Sequence, residues 1–157
     1  MGTRRKGRIL AFQALYAWDI QHTLNATDNK EQALKDLLDF SWLEKKTSGQ
    51  ILDSDNVKQP NMDDFPRLLV AGTVENIKTV DTIIRKHLRH WDFSRLNGVD
   101  RSLLRLSVYE LLFQTAPPSV IIDEAVDIAN EYGTDDSYRF INGVLDGIKK
   151  TIQDESM

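Results

Sequence analysis

The chain has 157 residues, of which 41% are hydrophobic and 28% are charged. This length and composition predict one compact domain that buries enough surface to fold without disulfides or a structural metal. The absence of cysteine excludes disulfides, thiolate zinc sites, cysteine nucleophiles and cysteine-ligated iron–sulfur clusters. The longest uncharged run, residues 111–122, is too short to span a bilayer, and no signal peptide is recognisable, so a cytoplasmic protein is expected.

Charge is unevenly distributed along the sequence. Twenty basic residues face 24 acidic ones, and the net charge is −4. Four basic residues precede the first acidic residue, Asp19, so the remainder of the chain carries −8. This basic cluster consists of Arg4, Arg5, Lys6 and Arg8. A basic start on an acidic body predicts one place where a polyanion can bind.

The apolar residues recur at helical spacing and no stretch alternates with period two, which predicts an all-α fold of six or seven helices. The first helix, around residues 9–20, is apolar almost all round and is therefore expected to be central and buried. The polar stretch 45–62 is expected to be one long variable loop. The other helices are expected at 34–42, from 63 or 64 to 91 as two helices or one bent helix, at 100–115, from the Pro117-Pro118 pair to Gly133, and after the cap residues 134–136.

Signals of catalysis are weak. The sequence has no glycine-rich phosphate loop and no Gly-x-Ser-x-Gly elbow. His87 and His90, with Asp92 nearby, could hold a metal weakly, although a solvated helix end also explains them. The acidic residues between 123 and 127 are explained by stabilisation of a helix N-terminus. We therefore predict a protein that is not an enzyme and needs no cofactor or metal.

The basic cluster opposes the macrodipole of the helix that it begins. Each cation there costs a few tenths of a kcal/mol, so four of them indicate a polyanionic ligand, with a solvated tail as the alternative. Four phosphate contacts to single-stranded RNA would give a salt slope of roughly −3.

Aromatic residues near two helix starts are further candidates for RNA binding. Phe12 and Tyr16 follow the basic cluster at helical spacing. Phe12 is expected in the core, whereas Tyr16 could be core or could stack on an unpaired base. Asp136, Arg139 and Phe140 begin the last helix, where free N–H groups favour an anion or another acceptor, with Asp136 as a plain N-cap being the alternative.

Longer motifs resemble one family. Residues 132–146 contain Tyr-Gly, Asp-Ser and Phe-Ile-Asn-Gly-Val-Leu-Asp, and are similar to the signature ending of the transcription antitermination factor NusB family. Residues 120–125, 100–111 and 4–16 resemble the family's preceding helices. The order and spacing agree across nearly the whole chain except about residues 25–62.

Two positions depart from the family pattern. Asp123 stands where the family usually has asparagine. Gly7 stands where it tends to have alanine, and a glycine there is expected to weaken the first helical turn by roughly 0.5–1 kcal/mol. Gly143 and Gly147, one helical turn apart, are expected to let another helix approach closely, or alternatively to contact a partner protein.

The resemblance implies a fold and a function. The fold would be a single all-α domain, residues 1–157, of two packed helical subdomains at about 1–80 and 81–157. The protein would pair with the ribosomal protein NusE, bind single-stranded boxA RNA of nascent rRNA transcripts, and join the complex that makes RNA polymerase resist termination. The alternatives are a helical protein–protein scaffold without RNA binding and a relative of the RNA-binding domain of rRNA cytosine methyltransferases. A homodimer is also compatible with the sequence, and no membrane partner is expected.

The resemblance also implies roles for individual residues. The basic cluster would contact phosphates, and the glutamine and tyrosine of the first helix would lie near the RNA. The expected RNA-binding residues are Arg4, Arg5, Lys6, Arg8, Gln13, Tyr16, Asp136, Arg139 and Phe140, and Asp100 and Arg105 are expected on the surface for RNA or NusE.

Overall fold

The computed structural model describes residues 3–24, 60–88 and 92–155. Those residues form six α-helices and one short 3₁₀ helix without any strand, which confirms the predicted all-α class. None of these helices has the length and apolar character needed to cross a membrane. The helices are α1 (Thr3–Leu24), α2 (Pro60–Glu75), α3 (Ile77–Lys86), α4 (Gly98–Phe113), α5 (Pro118–Tyr132) and α6 (Ser137–Glu155), and the 3₁₀ helix (Phe93–Arg95) lies between α3 and α4.

The chain divides into two compact units, unit 1 (Met1–Ala71) and unit 2 (Gly72–Met157). The sequence placed a division near residue 80. The helix expected at 34–42 and most of the loop expected at 45–62 lie outside the described residues. The last residues of the expected loop are helical, because α2 begins at Pro60 rather than at residue 63 or 64. A proline suits this first position, where its missing N–H has no helical partner to lose.

The first helix, α1, is largely but not completely buried. Phe12, Leu15 and Trp18 are buried, so the prediction that Phe12 belongs to the core is confirmed. Tyr16 and Ile20 are each 39% exposed, one helical turn apart. The apolar surface of α1 that looked continuous in the sequence therefore leaves one stripe open to solvent.

Unit 2 is built around α4. Residues 102–110 are all buried, and α4, α5 and α6 pack against one another while α3 packs on α4 and α6. The fully buried apolar side chains of these helices are Val80, Ile84, Leu103, Leu104, Leu106, Val108, Ile121, Ala129, Ile141, Leu145 and Ile148. Burial at this spacing agrees with the helical periodicity of the sequence, whereas Tyr132 at the end of α5 is 39% exposed.

Local side-chain hydrogen bonds set the helix boundaries. The long periodic run after residue 63 forms two helices that are separated at Asn76, whose Nδ2 donates to the carbonyl of Gly72 at 2.8 Å. Asn97 caps α4, since its Oδ1 accepts from the backbone N–H of Asp100 at 2.8 Å. Gly133 ends α5, as the sequence predicted.

No described helix packs closely against both Gly143 and Gly147 of α6. A Cβ at Gly143 would meet no described atom within 4 Å, and one at Gly147 would make an ordinary contact with the His87 ring at 3.5 Å. The two ring nitrogens of His87 lie 2.9 Å from the carbonyl oxygen of Ile83 and 3.0 Å from Oγ1 of Thr151. His87 is therefore a hydrogen-bonded side chain, and its companion at position 90 lies outside the described residues.

Candidate nucleic-acid interface

The basic cluster occupies the first two turns of α1, and its members differ in exposure. Arg4 and Lys6 are exposed and Arg5 is half-buried, whereas Arg8 is only 5% exposed. The structure therefore differs from the expectation that all four cations face a ligand. Three cations remain within reach of solvent, and three phosphate contacts would give a salt slope of roughly −2.

An aromatic ring from α2 joins two members of the basic cluster. The guanidinium carbon of Arg4 lies 4.7 Å from the centroid of the Phe65 ring, and that of Arg8 lies 5.7 Å from it. Both distances are typical of cation–π contacts, which contribute about 0.5–2 kcal/mol depending on burial. A Cβ at Gly7 would lie 2.6 Å from Cδ2 of Phe65, so the glycine lets the ring lie against the α1 backbone. The helix continues through Gly7 to Thr3 despite the low helix propensity of glycine.

The two other expected residues of α1 follow the basic cluster along the helix. Gln13 is half-buried and Tyr16 is exposed. They are three residues apart and therefore neighbours on the helix surface. An exposed tyrosine next to an amide offers a ring for stacking and groups for hydrogen bonding to a base edge.

The start of α6 carries the second set of expected residues. The carbonyl of Asp136 accepts from the N–H of Phe140, which places Asp136 at the N-cap position, but its exposed carboxylate makes no hydrogen bond within the described residues. Arg139 is exposed, and its Nε donates to the hydroxyl of Tyr138 at 3.0 Å. This hydrogen bond raises the pKa of Arg139 and fixes the side chain against the Tyr138 ring, with 5.5 Å from its guanidinium carbon to the centroid. Phe140 is half-buried.

Arg105 lies inside unit 2, although the sequence placed it on a binding surface. It is 7% exposed and forms a two-pronged ion pair with Asp81 of α3, with Nε–Oδ1 and Nη2–Oδ2 distances of 2.9 Å. Its guanidinium carbon also lies 5.2 Å from the centroid of the Phe93 ring. A cation can stay inside the unit because an acid on the neighbouring helix neutralises it.

Asp100 is also internal, at 7% exposed. Its Oδ2 accepts from Nδ2 of Asn97 at 3.3 Å, while its buried Oδ1 has no hydrogen-bond partner within the described residues. Burial raises the pKa of Asp100, because removing a carboxylate from water disfavours its charged form.

This raised pKa predicts how stability depends on pH. The folded state holds the Asp100 proton more tightly than the unfolded state, so Asp100 lowers the stability of the protein once it ionises. We expect Asp100→Asn to be more stable than the parent at pH 7, and this difference to shrink as the pH falls through the raised pKa of Asp100 and to vanish below about 4, the ordinary value of the unfolded chain. Thermal unfolding of both proteins across this range is the measurement. A variant that is less stable at pH 7, or a difference that does not change with pH, would contradict this account.

The structure brings some of the expected residues together. Arg4 and Arg8 meet at Phe65 in unit 1, and Arg139 adjoins Phe140 and the N-cap position of α6 in unit 2. Three residues that contact the expected residues were not predicted from the sequence. Phe65 contacts Arg4 and Arg8, Asp81 pairs with Arg105, and Tyr138 accepts a hydrogen bond from Arg139. Phe65 and Tyr138 are aromatic residues near a helix start, which is a weak signal, and nothing distinguishes Asp81 from the other acidic residues of the chain.

These features define a class: an all-α protein with cations at the start of its first helix and an arginine–aromatic pair at the start of its last. The family model described as "NusB family" matches residues 5–150. The chain therefore belongs to the NusB family.

Relatives agree with this assignment over nearly their full length. A transcription antitermination protein NusB from Treponema denticola is 48% identical over 147 residues, covering 93% of this chain and 95% of the relative. Another from Nitratiruptor sp. is 36% identical and covers 99% and 98% of the two chains. Among solved structures, NusB of T. maritima superposes with a TM-score of 0.71 at 36% identity, over 94% and 90% of the two chains. A chain from a crystal structure of the antitermination factors NusB and NusE in complex with dsRNA gives a TM-score of 0.70 at 30% identity, over 96% and 98%.

Proposed function

We propose that this protein is a cytoplasmic transcription antitermination factor that binds single-stranded boxA RNA of nascent rRNA transcripts together with NusE. The assembled complex makes RNA polymerase resist termination. Membership of the NusB family supports the role in antitermination. The similarity to a chain solved with NusB, NusE and RNA supports the choice of partners.

The observation that carries the proposal is the exposed part of the basic cluster. Arg4 and Lys6 are exposed and Arg5 is half-buried at the N-terminal end of α1, in a protein of net charge −4. These cations oppose the helix macrodipole, so they lower the stability of the helix rather than raise it. Phosphates of a bound RNA would neutralise them and release condensed counterions.

Base recognition is assigned to the aromatic residues rather than to the cations. Phosphate contacts carry no sequence information, whereas stacking and base-edge contacts do. Tyr16 is exposed on α1, and Phe140 stands beside the fixed Arg139 at the start of α6. The exposed apolar side chains Phe113 and Val120 offer a surface to NusE or, alternatively, to a second copy of this chain.

The test is a titration of the parent and of the triple variant Arg4→Ala, Arg5→Ala, Lys6→Ala with fluorescent boxA RNA and a scrambled RNA. One phosphate contact at a slope of −0.7 is worth roughly fourfold in affinity at 0.15 M salt, so three should be worth roughly 50-fold. We expect both RNAs to lose affinity by the same factor, and the parent's slope of roughly −2 to approach zero. Tyr16→Ala, in the same titration, should instead reduce the preference for boxA.

A matched control removes three exposed cations elsewhere, with Lys78→Ala, Lys86→Ala and Lys150→Ala. This variant has the same net charge as the triple variant and should bind RNA nearly as the parent does. Equal losses in the two variants would show general electrostatics rather than a site. A parent that binds NusE but shows no salt-dependent RNA binding would establish the scaffold alternative, and light scattering on the same samples tests for a homodimer.

A further inference from the structure

The ring of Phe65, on α2, contacts two members of the basic cluster on α1. Its ring lies 4.7 Å from the Arg4 guanidinium carbon and 5.7 Å from that of Arg8. Arg4 is exposed, Arg8 is almost completely buried and the ring itself is half-buried. The ring therefore stands between a cation that can reach a ligand and one that cannot.

We propose that Phe65 is a positioning residue for RNA binding, which holds the Arg4 guanidinium in place for a backbone phosphate before the RNA arrives. This inference rests on the proposed function. An unrestrained arginine samples many rotamers, and ordering it on a phosphate opposes binding. Contact with the ring restricts Arg4 in the free protein and so lowers this entropic cost. Gly7 permits the arrangement, because a Cβ there would lie 2.6 Å from Cδ2 of the ring.

Arg8 has a separate part in this arrangement. It is 5% exposed, so its charge is screened less by salt than that of a surface cation. Its guanidinium carbon lies 5.7 Å from the ring centroid, so the ring that contacts the exposed Arg4 also packs on a buried residue of α1. Phe65 thereby links Arg4 to the interior of unit 1.

The test compares two substitutions of the ring. Phe65→Leu keeps an apolar side chain but removes the aromatic face, whereas Phe65→Tyr keeps the face. We expect Phe65→Leu to weaken binding of a boxA RNA up to about fourfold at 0.15 M salt and to reduce the magnitude of the salt slope by up to about 0.7, the value of one phosphate contact. Phe65→Tyr should bind as the parent does. Leu68→Ala, an exposed position on the same helix, is the control and should also have no effect.

Two further measurements separate positioning from loss of structure. In an Arg4→Ala background, Phe65→Leu should cause little additional loss, since its effect passes through Arg4. In the free protein, the Arg4 side-chain protons should show ring-current shifts by NMR that persist in Phe65→Tyr and disappear in Phe65→Leu. A full additional loss in the Arg4→Ala background, unchanged RNA binding by Phe65→Leu, or absent ring-current shifts in the parent would overturn the inference. A parent that shows these shifts but does not bind RNA would overturn the proposed function instead.

Discussion

Asp81→Ala is expected to destabilise the protein by about 3–5 kcal/mol, the largest effect of any single substitution considered. In this variant Arg105 keeps its charge inside unit 2 but loses the two carboxylate oxygens of Asp81, each of which lies 2.9 Å from a guanidinium nitrogen. The side chains of Arg105 and Asp81 are only 9% and 12% exposed, so water cannot replace the carboxylate without opening the packing between α3 and α4. The cost comes chiefly from leaving the buried guanidinium without this carboxylate, rather than from the lost attraction itself.

Urea unfolding followed by circular dichroism measures this effect. The control is Asp146→Ala on α6, whose carboxylate pairs at the surface with Lys150 at 3.3 Å and Lys149 at 3.8 Å, and which should change stability by less than about 1 kcal/mol. Replacing both partners, with Asp81→Leu and Arg105→Met, should cost much less than Asp81→Ala because the Arg105 charge is removed together with that of Asp81. If Asp81→Ala lowers the stability no more than Asp146→Ala does, Arg105 is not buried against Asp81, and its assignment to a binding surface would stand.

Gly72→Ala is expected to destabilise the protein by about 1–3 kcal/mol. A Cβ at Gly72 would overlap the ring and hydroxyl of Tyr109. That ring has little room to move, because Tyr109 is 6% exposed, its hydroxyl accepts from Nε2 of Gln114 at 3.2 Å, and its centroid lies 5.3 Å from that of Phe113. The overlap should outweigh the gain of up to about 1 kcal/mol in helix propensity from glycine to alanine.

Gly143, in the interior of α6, supplies the control. The methyl group of Gly143→Ala would meet no described atom within 4 Å, so helix propensity decides the effect and we expect up to about 1 kcal/mol of stabilisation. Opposite signs for the two substitutions in the same unfolding assay support the close approach at Gly72. Removing the ring should relieve the overlap. In a Tyr109→Leu background, Gly72→Ala should therefore lower the stability less than it does in the parent. Similar stabilisation by both substitutions would show that the Tyr109 ring does not lie against Gly72.

Most of the fold was predictable because its signals are local. The two prolines at 117 and 118 separate α4 from α5, Gly133 ends α5, and the apolar spacing of α6 matches its buried face. The start of α2 was placed three or four residues late, since a proline that begins a helix and a polar loop residue look alike in sequence. The break at Asn76 was left open, because it depends on one amide that bonds to the Gly72 carbonyl.

The candidate site was predictable in composition but not in exposure. A cluster of four cations indicates a polyanion, yet nothing local shows that Arg8 turns inward toward Phe65, some 57 positions later in the chain. Arg105 illustrates the same limit more strongly. Its partner is 24 residues away in sequence, and any of the 24 acidic residues could have filled that role. Long-range pairing of charges is decided by helix packing, which periodicity does not encode.

The buried acid of α3 also bears on the order in which unit 2 can fold. Helices α4, α5 and α6 pack against one another, but the carboxylate of Asp81 reaches Arg105 only with α3. Until α3 docks, the guanidinium lacks this two-pronged ion pair, and burying it without the carboxylate costs free energy. We therefore expect docking of α3 and closure of the core around α4 to be energetically coupled, so that the four helices of unit 2 unfold together.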